Sequence, residues 1–90
     1  MIFEIINCKV RESKLSQIDY YAFTLLNGDN EKFFAYLVPF DHLLDKFHKK
    51  NGIYWGDKEP FAKDYIGFII SAEWKWEQYK NKLYKRVILI

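Results

Sequence analysis

The chain has little with which to staple, break or anchor itself. Its single cysteine, Cys8, excludes an internal disulfide. Two prolines and four glycines in 90 residues leave few places to interrupt regular structure. There is no internal repeat, low-complexity stretch or linker. No fully apolar run approaches the ~20 residues of a membrane span. No basic leader precedes the apolar start, which Glu4 and Asn7 interrupt, so the sequence points to the cytoplasm and to no membrane role. Charge of one sign is also scarce. Fourteen basic residues against twelve acidic ones leave a net +2, too little for a strong field-driven grip on nucleic acid. Arginine, the usual bidentate reader of guanine edges, occurs only as Arg11 and Arg86.

What the chain has is core material. Half of the residues are apolar and a fifth are aromatic, far above the composition of a disordered segment. A chain of this length forms one domain, spanning residues 1–90, and buries ~60–65% of its unfolded surface. A deep internal pocket is not expected.

Met1 to Val10, rich in β-branched residues, reads as a strand. Arg11 to Gln17 is polar and reads as a loop. Ile18 to Leu26 and Lys32 to Val38 are two apolar runs flanking Asn27-Gly28-Asp29-Asn30. Asn-Gly there suggests a hairpin with positive φ at the turn. After Pro39, a helix over roughly 41–50 is predicted. Asp41 is its expected N-cap, Leu43, Leu44 and Phe47 form its apolar stripe, and Asn51-Gly52 its left-handed stop. Gly56 to Lys63 reads as a loop and Tyr65 to Ser71 as a strand. Residues 72–83 fit two patterns. Ala72, Trp76, Tyr79 and Leu83 fall at helical spacing, while Trp74 and Trp76 alternate with Glu73, Lys75 and Glu77 as in a strand. A turn at Lys80-Asn81-Lys82, leading into a strand over Tyr84 to Ile90, makes the hairpin the simpler reading. The expected fold is α+β: an antiparallel sheet of about five strands, in the order β-β-β-α-β-β, with one helix. An OB-like partly open barrel has that order.

Gly52-Ile53-Tyr54 and, ten residues later, Tyr65-Ile66-Gly67 carry a resemblance. The pair resembles the name-giving motif of the GIY-YIG nucleases. The resemblance implies triplets on neighbouring strands, a tyrosine assisting proton transfer, an arginine on a following helix and a later glutamate holding a divalent metal. It covers about sixteen residues. The next arginine is Arg86, in the terminal strand, and Glu73 and Glu77 are the only later acids.

Other chemistry is thin. His42 and His48 lie six apart on one helix and point to different faces, so they cannot form a paired metal-ligand set. Solvation explains both, with His48 favoured by the helix dipole. Asp41 and Asp45 share a face, but dipole compensation accounts for them first. Cys8 reads as a buried strand thiol. With no glycine-rich phosphate loop, no Ser-His-Asp pattern and no Cys or His cluster, neither an enzyme, a metal nor a cofactor is expected.

The remaining signal is aromatic. Tyr20, Tyr21, Phe23, Phe33, Phe34 and Tyr36 crowd the central hairpin, and further rings follow. So small an interior cannot take them all, so some are expected at the surface or in a contact between copies of the chain. The expected binding surface is Tyr54, Trp55, Trp74 and Trp76 with Lys75, Lys85 and Arg86 nearby. The first functional expectation is a non-enzymatic module acting by stoichiometric contact with a protein partner, as an inhibitor, immunity or accessory protein does. The second is a single-stranded nucleic-acid binder on an OB-like barrel. A metal-dependent GIY-YIG-like nuclease comes third.

Overall fold

The computed structural model describes residues 1–54 and 61–90. Three strands come first: β1 (Ile2–Glu12), β2 (Asp19–Leu26) and β3 (Lys32–Leu37). Then come helix α1 (Asp41–Asn51) and a 3-10 turn (Ala62–Tyr65). The chain ends in β4 (Ile69–Ser71), β5 (Glu73–Tyr79) and β6 (Lys82–Ile88). The expected loop at 56–63 falls mostly outside the described residues.

The strands form one mixed sheet in the order β4-β1-β2-β3-β6-β5. There are six strands rather than about five, and β3 pairs β6 in parallel while the other pairings are antiparallel. Two local events explain the difference. The expected strand over 65–71 is cut short because Tyr65 lies in the 3-10 turn and Gly67 takes a positive φ of 99°. Ala72 then separates β4 from β5. Ser71 pairs Ile2 while Glu73 pairs Ile88, so one residue carries the chain from one end of the sheet to the other. From Ser71 to Glu73 the chain takes two steps and spans at most ~7 Å. The sheet is not closed by hydrogen bonds from end to end, but it must coil until its two ends meet at Ala72. The bulge in β1 between Ile5 and Asn7 assists the bend.

Coiling gives the sheet an inner and an outer face. The inner face holds the core: Phe3, Ile5, Phe23, Leu25, Phe33 and Val87 are all buried. Helix α1 adds Leu44 and Phe47 to the same cluster. Phe23 of β2 meets Phe47 at 5.8 Å and Tyr65 at 5.6 Å between ring centroids. Phe3 and Phe33 pack edge to face at 4.8 Å.

The turns were partly legible. The β2–β3 hairpin exists, but Gly28 is not its positive-φ residue; Asn30 is, at 60°. Asn27 closes the turn instead, its Oδ1 accepting from the Asp29 and Glu31 amides, an Asx-type solution. The β5–β6 turn uses Lys80 and Asn81, both at positive φ, so 72–83 is a hairpin as favoured. The N-cap of α1 is Phe40, with Asp41 in the first turn rather than capping it. Gly52 closes the helix in the left-handed conformation, as expected. The first strand runs on to Glu12, which pairs Asp19, so Arg11 is a strand residue and not part of a loop.

The triplets do not occupy neighbouring strands. Gly52 caps α1, Ile53 and Tyr54 belong to no strand, and Tyr65 sits in the 3-10 turn. Tyr54 is 92% exposed and Tyr65 fully buried, so the two tyrosines do not share one environment.

Candidate nucleic-acid interface

The residues singled out in the sequence fall on two faces. Trp74 pairs Val87 and Trp76 pairs Lys85, so these side chains share the inner face. Trp74 packs edge-on to Phe33 at 5.3 Å and to Trp76 at 5.4 Å. Trp76 is the outermost of these rings, 56% exposed. Lys85 lies over Phe33 and Trp76 and forms an ion pair with Glu31. That contact holds the Glu31 carboxyl below its usual range. Lys75 and Arg86 pair each other on the opposite face. Tyr54 stands free of the sheet after the helix stop, and Trp55 lies outside the described residues.

The outer face holds a site the sequence did not single out. It is a groove of about 450 Å³ along β1, β2 and β3. Its geometry follows from strand register. Cys8, Phe23 and Ala35 align across the three strands and point inward. Their neighbours therefore point outward, by the two-residue period of a strand. Lys9, Ala22 and Tyr36 form one outer row, and Asn7, Thr24 and Phe34 the next. Arg11 and Tyr20 form a third. The floor, on β2, is small at Ala22 and Thr24 and is closed at one end by Tyr20. One wall, on β1, is cationic; the other, on β3, is aromatic.

The rings of the β3 wall are supported from the neighbouring strands, by Tyr20 of β2 and Tyr84 of β6. Tyr20 and Tyr36 meet edge to face at 5.7 Å, and Phe34 meets Tyr84 of β6 at 6.0 Å. Burial pushes the Tyr36 phenol above its usual pKa, so it stays neutral. Arg86 lies 5.9 Å from the Tyr36 ring and donates from Nη1 to both Glu77 carboxylate oxygens, at 3.0 and 3.1 Å. Its charge is thus largely answered. Lys9 and Arg11 are different: neither has a carboxylate partner among the described residues. Two unanswered cations facing a wall of rings across a small-residue floor suit a ligand that is anionic on one side and flat and apolar on the other.

Alternation could have found this site. Asn7, Lys9 and Arg11 recur every second residue opposite a buried Cys8. Taking Arg11 for a loop residue hid the pattern.

The sequence also missed the setting of His48. It is not a solvated helix residue: its Nε2 lies 2.7 Å from the Tyr65 hydroxyl in a partly buried contact. Burial lowers its pKa. The partner is seventeen residues away, so no local pattern announces it.

No protein-family model and no curated protein matches the chain. Among the described residues, no helix is long and apolar enough to cross a membrane.

Proposed function

We propose that the protein is a non-enzymatic binding module whose outer β1–β2–β3 groove holds single-stranded nucleic acid, on an OB-like, partly open barrel. The observation that carries this reading is the groove itself, with Lys9 and Arg11, which have no carboxylate partner among the described residues, on one wall and Phe34 and Tyr36 on the other. Topology supports the barrel. Taken as one interrupted strand, residues 69–79 pair β1 at one end and β6 at the other. The sheet then has five members, a parallel β3–β6 contact, and its helix between the third and fourth strands. Barrels of that type bind oligonucleotides over the face of their second and third strands. Sequence-tolerant binding follows from stacking on rings, which every base can do, with phosphates met by Lys and Arg.

The test is fluorescence anisotropy with a labelled oligo-dT at low salt. Binding is expected to weaken on Phe34→Ala or Tyr36→Ala by roughly 1–3 kcal/mol, the usual worth of one base stacked on a ring. Absence of binding at low salt, with the protein folded, removes the reading.

A protein partner, ranked first from the sequence, is the second reading, and a different region favours it. The β5–β6 hairpin leaves Trp76, Tyr79 and Leu83 exposed. The outer edge of β5 has no partner strand among the described residues. Large apolar side chains beside a free edge suit stoichiometric protein contact. On this reading, Trp76→Ala abolishes recovery of a one-to-one complex while oligonucleotide binding persists.

A further inference from the structure

The register of the groove says more than that it suits a nucleic acid. We infer that it holds a run of two consecutive phosphodiesters lying along β1, with their bases laid toward β3 rather than across the whole sheet. This inference rests on the nucleic-acid reading of the groove.

Three features of the groove set the footprint. First, the walls are strands: β1 and β3 flank β2, so the groove runs along the strand direction. Second, the groove's two cations, without a carboxylate partner among the described residues, repeat in step with the rows. Lys9 and Arg11 are two residues apart on one face, about 6.7 Å along a strand. That is comparable to the step between neighbouring phosphates of an extended sugar-phosphate backbone. The same rows carry Tyr36 and Tyr20, so each cation has a ring in its own row or the one beside it. Third, the next row changes character. Asn7 replaces a cation there while Phe34 continues the ring wall. The charge ladder therefore ends after two rungs. Across the groove, β1 and β3 lie about 9.6 Å apart, two strand spacings, matching the reach from a phosphate to its own base.

Among the described residues, the other cations of the outer face lie off the groove: Lys32, one row beyond Phe34 on β3, and Lys82, at the start of β6, do not line it. Arg86 is engaged by Glu77, and Lys75, beside it in register, lies two strands beyond β3. The groove volume of about 450 Å³ also sits in the range of sites for one small molecule, not of a long channel.

The experiment measures binding of fluorescein-labelled oligo-dT and oligo-U, two to twelve nucleotides long, as a function of salt. With two phosphates neutralised on a single strand, log K falls with log salt at a slope of about −1.4. Affinity is then expected to drop about sevenfold between 50 and 200 mM salt. It should rise with length up to about three nucleotides and afterwards only by the statistical number of positions. The double variant Lys9→Ala/Arg11→Ala should lose most of the salt dependence, changing less than about twofold over that range. Ala22→Tyr, which fills the floor without touching charge, should abolish binding; circular dichroism checks that both variants are folded. Equal behaviour of the two oligomers assigns the site to the shared phosphate and base chemistry; preference for oligo-U adds a 2′-hydroxyl contact within the same footprint. A slope steeper than about −3, or an unchanged slope in the double variant, overturns the two-phosphate footprint while leaving nucleic-acid binding intact. No binding of any oligomer at low salt overturns both.

Discussion

Phe33 and Phe34 are neighbours in sequence with identical side chains, yet they stand on opposite faces of β3. Phe33 is 1% exposed, wedged between Phe3 and Trp74. Phe34 is half-buried on the outer face, edge-on to Tyr84 and beside the groove. The inner ring works for the fold. On the proposed reading the outer ring works for the ligand. The difference teaches that aromatic surplus is not spread at random over this surface: strand alternation sorts it, one face into a core and the other into a wall.

The comparison breaks most visibly on the inner side. Phe33→Ala removes a buried ring and is expected to cost about 3–5 kcal/mol, a large share of the stability of so small a domain. Phe34→Ala should cost about 1 kcal/mol or less in a urea melt. Similar losses from the two substitutions would erase the distinction between faces. Ligand binding reverses the ranking: Phe34→Ala weakens oligonucleotide binding by roughly 1–3 kcal/mol without unfolding.

A smaller effect sharpens the inner side. Tyr65→Phe deletes the hydroxyl that meets His48 and is expected to cost about 1–2 kcal/mol in a thermal or urea melt. The pH dependence of that contact has a definite sign. Burial holds the folded-state pKa of His48 below its ordinary 6.5, so the folded protein favours the neutral ring. Stability from this group is complete above about 6.5 and is lost as pH falls through that value toward the lower folded-state one. The urea midpoint should therefore decline between pH 7.5 and 5.5, and decline less in His48→Gln. Equal declines in both proteins would show that other groups set the dependence.

The smallest expected effect is none. Burial pushes the Cys8 thiol up to about 12, so the folded protein should not react with a thiol reagent at pH 8, whereas the urea-unfolded chain should react at once. Fast labelling of the native protein would place Cys8 outside the core.

How much of this could be read beforehand depends on how local each cause is. The left-handed stop at Gly52 and the turn at Asn81 are written in single residues, and both were legible. The Asn27 turn was legible in place but not in mechanism, because the side chain of Asn27, rather than the freedom of Gly28, closes it. Strand number and direction were not legible, since they depend on Ser71 pairing Ile2 and Phe34 pairing Arg86, contacts far apart in sequence. The groove was obscured for the same reason. Lys9, Tyr36 and Ala22 become neighbours only once β1, β2 and β3 are in register. The tryptophans of β5 are conspicuous in the sequence, yet Trp74 is partly spent on packing against Phe33.

The most direct test of the central claim is residue-resolved: amide chemical-shift changes in the 15N-labelled protein on titration with a short oligo-dT at low salt. Perturbations centred on Lys9, Arg11, Ala22 and Tyr36, with Trp76 and Leu83 unmoved, are the expected result. Perturbations confined to the β5–β6 hairpin, or none at saturating oligonucleotide, would contradict the outer-face groove as the binding site.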